Sequence, residues 1–347
     1  MRHLWLPSRL SVLVIGMVMA VACSPRATPP AAAPSAGEPA SAPAAAVPAR
    51  PIEFVISTEP GGGSDIYARF IQGVIEKNNL SSQPVLPVNK PGGAGAVAFQ
   101  YTFEKRADMH FIMITLNSFF TTLIIQKDSL PYTYEDFTPI ANLALDPFFL
   151  WVNEESAWRT AQDFVAAARA GVLTVAGTGS KQEDEVLFNL IQQKAGTQAF
   201  RFVPQAGGGA VAASLAGNQV EATVNNPSEG LSFYQASPRR LRPICTFAST
   251  SPASGPYQGL ATCRSQGLDI GQDYFIMRSV MGPPGLRPEQ VKFHVDVMKQ
   301  VFDSAEWREF AETNVLDLRF LAGADFKKLL DDYHQLHLEA MRQAGWI

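Results

Sequence analysis

Only three cysteines and five histidines occur in 347 residues, and only 17% of the residues are charged. The chain has no run of lysines and arginines, and 28 basic residues stand against 32 acidic ones, for a formal charge of −4. Nucleic-acid binders carry a basic surface, so that class is excluded. His294, His334 and His337 share no ligand spacing with the cysteines and sit in no HExxH helix. No metal is expected on that ground. Gly177-Thr178-Gly179-Ser180-Lys181 lacks the spacing of a phosphate-binding P-loop, no GxGxxG opens the first helix, and no Gly-x-Ser-x-Gly elbow is present. Nucleotide cofactors and serine-hydrolase chemistry are therefore not expected, and no cofactor of any kind is implied. What is present is 46% hydrophobic residues. That is ample for buried cores, and the length suits two domains of ordinary size.

The first fifty residues read as addressing. Arg2 and Arg9 precede an apolar run from Leu10 to Ala22, closed by Ala20-Val21-Ala22-Cys23. A basic start, a short apolar stretch and small residues predict a signal peptide over 1–22. The run is shorter than the ~20 residues of a membrane-spanning helix. The Ala-x-Ala pattern suits ordinary signal peptidase, whereas small residues before Cys23 are similar to a lipobox that would place a lipid on that cysteine. Ser24 to Arg50 holds 11 alanines and 7 prolines in 27 residues. Such a segment buries no apolar surface and stays extended, so 23–50 reads as an anchor cysteine with a semi-rigid tether. Periplasmic, lipid-anchored protein is the favoured reading, with a soluble periplasmic protein as the alternative. Removal of 1–22 leaves 26 basic against 32 acidic residues, a net charge of −6. In that oxidising compartment Cys245 and Cys263 are expected to pair, adding about 3 kcal/mol by loop-closure arithmetic. Two buried free thiols are the alternative.

From Pro51 onward short β-branched runs alternate with glycine-rich turns and helical periodicity. Strands are predicted at 52–57, 85–88, 111–116, 148–152, 173–176, 200–203, 219–224, 241–247 and 274–281, and two or three amphipathic helices over 288–343. Strand, turn and helix in repetition mark a mainly parallel sheet with helices on its faces. The theme runs twice, with a C-terminal return. This predicts an α/β protein of two lobes, 51–149 plus 270–347 and 150–269, with hinges near Leu150 and Asp269 and a ligand cleft between the lobes.

Five polar turns fall where strands should end: 60–65, 89–95, 117–118, 177–180 and 225–228. Ligands of open α/β sheets sit at such strand ends, where helix N-termini present unpaired N–H groups and partial positive charge. Ser64, Asp65 and Ser180 are equally well read as plain helix caps.

The segment Pro60-Gly61-Gly62-Gly63-Ser64-Asp65-Ile66 followed by Ala68-Arg69 resembles the first loop and helix of the tripartite tricarboxylate transporter substrate-binding proteins, the Bug family. Asn89-Lys90-Pro91-Gly92-Gly93-Ala94-Gly95, Asp136-Phe137-Thr138-Pro139-Ile140, Gly177-Thr178-Gly179-Ser180, Val203-Pro204, Gly217-x-Gln219-Val220 and Pro283-x-Gly285 continue the likeness in order. It covers about Pro51 to Ile347. The resemblance implies a type II-like periplasmic binding protein that is no enzyme. Such a receptor captures a small carboxylate by hinge closure and delivers it to integral-membrane permease subunits; membrane association through the N-terminal lipid and a monomeric state are expected beside it. Carried over by position, the ligand contacts are Gly61, Gly62, Gly63, Ser64, Asp65 and Ser118 from the first lobe. Thr178, Ser180, Asn225 and Asn226 come from the second.

Two departures stand out. Lys181-Gln182-Glu183-Asp184-Glu185 puts three acids where many members have small polar residues. The preferred reading is a first helical turn whose acids suit the helix dipole; acids facing the cleft would instead favour a ligand bearing an amine or hydroxyl. Met277-Arg278-Ser279 replaces a usual Trp-x-Gly. Arg278, at a cleft entrance, would hold a second ligand carboxylate, or else form a salt bridge on a lobe surface. Phe119, Phe120, Met113 and Met281 are read as core. Two other functions stay open: a sensor presenting the same ligand to a signalling partner, and an enzyme on organic acids with Asp65 or Glu183 as base.

Overall fold

The computed structural model describes residues 46–347. The signal peptide 1–22, Cys23 and all but the end of the 23–50 tether lie outside the described residues. Among those described, no helix is long and apolar enough to cross a membrane.

In chain order the first half holds β1 (Ile52–Ile56), α1 (Gly63–Lys77), β2 (Val85–Asn89), α2 (Ala96–Phe103), β3 (Phe111–Thr115), α3 (Ser118–Ile125) and β4 (Thr138–Pro147). Then come β5 (Phe149–Asn153), α4 (Ala161–Ala170), β6 (Thr174–Thr178), α5 (Glu183–Ala195), β7 (Arg201–Gln205), α6 (Gly208–Ala216), β8 (Ala222–Asn225), α7 (Pro227–Gln235) and β9 (Leu241–Thr246). The return consists of β10 (Phe275–Gly282), α8 (Pro288–Asp303), α9 (Ala305–Asn314), β11 (Asp317–Leu321) and α10 (Gly323–Gln343). This is the expected two-lobe α/β fold.

A six-stranded sheet has the order β11-β4-β10-β3-β1-β2, and a five-stranded sheet the order β7-β6-β8-β5-β9. In each, the early strands are parallel: β1 pairs with β2 and β3, and β6 with β7 and β8. The strands that change sheets are antiparallel, β10 to β3 and β4, and β5 to β8 and β9. β1 (IEFVI) and β3 (FIMIT) are covered by helices on both faces, which is why they read as continuous apolar runs rather than alternating ones.

Both crossovers run side by side. Phe148 alone separates β4 from β5; Phe247 N–H donates to its carbonyl (2.9 Å), and Tyr274 stacks on its ring. Phe148, Tyr274, Met277 and Met281 belong to one apolar core that reaches into both sheets, together with Phe119 and Phe120. Cys245 on β9 is joined to Cys263 by a disulfide.

Three elements depart from the sequence expectation. β4 is a ten-residue strand with prolines near both ends and fully buried polar residues Asn142 and Asp146, so it shows no strand periodicity. β11 is a short edge strand between two helices. α7 contains Gly230, and its start is fixed by Pro227 and a capping box between Asn226 and Glu229.

Candidate functional site

Between the two sheets, at the carboxyl ends of β1, β3 and β6, lies a cavity of about 220 Å³. Its walls on the six-stranded side are Ser57, Thr58, Leu116, Ser118 and the Pro91–Gly95 turn; Thr178, Gly179, Gln182, Gln205 and Ala206 close the other side. A second space of about 20 Å³ shares Thr58, Leu116 and Thr178 with it, and continues inward to Ser64, Glu183, Glu229 and Arg278. Helices α2, α3 and α5 begin at the larger space, and α1 and α6 at the smaller, so five N-termini turn partial positive charge on one volume.

The first loop is built for close approach. Gly61 has φ +84°, and Asp65 stitches the loop shut. Its Oδ2 accepts Gly61 N–H (2.9 Å), and its Oδ1 accepts from Arg69 Nε and Asn89 Nδ2 (2.8 and 2.9 Å). Both carboxylate oxygens are thereby spent on holding the loop and its neighbours, while the N-cap of α1 is Gly62 with no side-chain cap. The hydroxyls of Ser57, Thr58 and Ser64 are buried with no hydrogen-bond partner within the protein. The second loop runs through four consecutive left-handed residues, Gly92 to Gly95, and Gly95 packs so close to the Phe99 ring that a Cβ would lie 2.6 Å from it.

Ser118 and Thr178 line the larger cavity from opposite sides. Ser180 is exposed and lines neither space; Gln182 takes the inward place. Asn225 and Asn226 are buried, and Asn226 faces the small annex. Asn225 Nδ2 donates to Gly208 O, and Asn226 Nδ2 to Pro147 O (2.9 Å) beside the first crossover. Glu229 reaches from α7 to the start of α1, accepting Gly63 N–H (3.2 Å), while its other oxygen accepts from Asn225 Nδ2 and Asn226 N–H. One carboxylate thus joins helices attached to different sheets.

Arg278 lies in the protein's interior, 2% exposed, rather than at a cleft entrance. Its Nη2 and Nε meet Asp146 Oδ2 at 2.6 and 3.0 Å; Tyr67 Oη donates to the same oxygen, and the guanidinium lies over the Tyr67 ring. It also donates to Asn226 Oδ1 (3.2 Å). A salt bridge forms, but a buried one rather than one on a lobe surface. Burial pushes Asp146 up to about 6 against the pull of Arg278, and Arg278 is held above its ordinary value by Asp146 despite burial.

The three acids do stand in the first turn of α5, but two of them are buried. Glu183 is 1% exposed, and Asp184 is likewise buried. Asp184 accepts Thr178 N–H (2.6 Å), whereas Glu183 Oε2 has no partner within the protein. Burial pushes Glu183 up to about 7. Burial, then the charges of Glu183 and Glu229, holds Asp184 well above the carboxylate range. Among the described residues no cluster suits a metal ion, and His294 and His337 are held by Met109 O and by Tyr333 O and Tyr274 Oη.

Sequence reasoning did not single out Ser57, Thr58, Gln182, Gln205 or Glu229. Ser57-Thr58 directly follows an apolar strand, which was a readable signal. Glu229 becomes significant only once α7 is placed against α1.

The family described as the tripartite tricarboxylate transporter family receptor matches residues 68–342. A Cupriavidus necator protein named "UPF0065 protein in gbd 5'region" is 28% identical over 269 residues, covering 75% of this chain and 77% of that one. Of solved structures, R. palustris Rpa4515 with adipate superposes with a TM-score of 0.77 at 20% identity. It covers 86% of this chain and 98% of its own. MatC from Rhodopseudomonas palustris with bound malate gives 0.70 at 19% identity, with the same coverage. The chain belongs to the tripartite tricarboxylate transporter receptor family of solute-binding proteins.

Proposed function

We propose that this receptor captures a small organic acid between its two lobes and delivers it to the permease subunits of a tripartite transporter. The lobes are residues 51–149 with 270–347, and residues 150–269. The observation that carries the reading is the 220 Å³ cavity, where helix N-termini and the buried, unpartnered hydroxyls of Ser57 and Thr58 converge. Oriented N–H groups and free hydroxyls hold an anion without a basic side chain, which suits a chain of net negative charge. Two proteins of the same fold are described with adipate and with malate. Ser57, Thr58, Ser64, Ser118, Thr178 and Gln182 are the proposed contacts. Asp65, Asn225 and Asn226 brace the loops that carry them, and Arg278 serves the same end through Asp146.

A thermal-shift panel of di- and tricarboxylates, aromatic acids and amino acids tests this. A ligand at about a thousand times its dissociation constant adds roughly 4 kcal/mol to the folded state. Ser118→Ala and Thr178→Ala should each weaken the best acid about tenfold, the worth of one hydrogen bond to a charged group. If ligand-free protein answers no acid at all, the reading is wrong. The proposed place of work is the periplasm, with the chain held to the membrane through Cys23. Intact mass of detergent-extracted protein should show diacylglycerol and acyl groups there, and an unmodified Cys23 at the mature N-terminus would refute the anchor.

A further inference from the structure

The larger cavity and its annex differ in chemistry. The larger space is edged by glycine turns and hydroxyls, whereas the annex is walled by acids. Glu183, Asp184 and Glu229 all line it. The one cation there, Arg278, is already paired with Asp146. Three buried oxygens on the annex wall have no partner within the protein: Thr58 Oγ1, Ser64 Oγ and Glu183 Oε2. The annex holds about 20 Å³, room for one group the size of a water molecule.

We infer that the annex is an ammonium subsite, so that the ligand is an acid carrying a primary amine, with its carboxylate in the larger cavity and its –NH3⁺ against Glu183, Ser64 and Thr58. The inference rests on the organic-acid reading of the same cleft and adds the ligand's second functional group. An ammonium has three donors and no acceptor, matching three acceptor oxygens that the protein leaves unused. Its charge would draw Glu183, which burial holds near neutrality, into the ionised form, and would offset Glu183 and Glu229 where Arg278, already paired with Asp146, does not. A second carboxylate at this place would meet Glu183 and Glu229 at close range, and like charges so buried repel strongly. A hydroxyl would satisfy one oxygen and leave the charge uncompensated.

Calorimetric titration of the full chain with matched acids decides the matter. Each set holds a parent acid, its hydroxy form and its amino form: succinate, malate and aspartate; glutarate, 2-hydroxyglutarate and glutamate; butyrate, 4-hydroxybutyrate and 4-aminobutyrate. In at least one set the amino form should bind about tenfold or more tighter than its parent, with the hydroxy form between them. Glu183→Gln should cut that ratio to below about threefold, and Ser64→Ala should lower it without needing the glutamate to change. Parent or hydroxy acids binding as tightly as every amino form would overturn the ammonium subsite and leave the organic-acid reading standing. An unchanged ratio in both variants would also overturn it. No binding in any set would remove both readings together.

Discussion

At the scale of single residues, Asp146 and Arg278 decide the most. Their pairing is buried, and Asp146 supplies the countercharge that a guanidinium needs in the interior. Asp146→Ala should cost about 3–5 kcal/mol in urea unfolding, because it strands a buried guanidinium. The double change Asp146→Leu with Arg278→Met should recover much of that loss, since an apolar pair needs no desolvation. A single variant as stable as wild type would show that the pair is not the support described. Neither residue reveals its role in the sequence: they stand 132 positions apart, and only the antiparallel register of β4 and β10 brings them together. The same holds for Glu183. Three acids at a helix start suit the helix dipole by local chemistry, and burial by the opposite sheet is a tertiary fact.

At the scale of elements, the starts of helices matter more than their lengths. A Cβ on Gly208 would fall 1.9 Å from the Glu229 carboxylate, whereas one on Gly171 would meet nothing within 4 Å. Gly208→Ala should therefore push Glu229 off Gly63 N–H and weaken ligand binding several-fold, with Gly171→Ala as a neutral control; equal affinities in both would sink the assignment. Thr160 caps α4 by accepting Asp163 N–H, and Asp163 returns the bond to Thr160 N–H. Thr160→Ala should cost about 1 kcal/mol by denaturant unfolding. The sequence made most elements legible, because strands buried on both faces and glycine turns leave local marks. β4 was not legible, since its prolines and buried Asn142 and Asp146 imitate a loop, and α7 was hidden by Gly230 and a short apolar face. The cleft was legible as a set of turns at strand ends. Which hydroxyls and acids point inward depended on how the turns fold over one another.

At the scale of the whole molecule, buried titratable groups work against each other. Glu183, raised to about 7, contributes stability in full below the ordinary carboxylate range and loses it as pH rises through 7. His294 and His337, lowered by burial to about 4, contribute in full above 6.5 and lose it as pH falls through 4. Asp146 and Asp184, likewise raised by burial, act on the same side as Glu183, and the two histidines oppose them. Glu183→Gln removes one acid from that balance, so its stability should gain on the wild type as pH rises from 5 to 7, by an amount on the order of 1–3 kcal/mol. A gap independent of pH would contradict the burial of that carboxylate. Glu229→Ala removes the bond between α7 and α1. It should enlarge the radius of gyration of ligand-free protein in small-angle scattering, and an unchanged radius would show that the bond does not hold the lobes together.

The paired crossovers have a mechanical consequence. β4 and β10 are neighbours in one sheet, β5 and β9 in the other, and Phe148 is flanked by Phe247 and Tyr274 where the threads pass. Two parallel threads make a strap that folds across its flat side but resists shear and twist, because either would slide one thread past the other. The halves of the molecule are thereby left with a single soft direction, like the covers of a book. A solute that touches both pages would find each opposing group arriving on a fixed arc rather than by search.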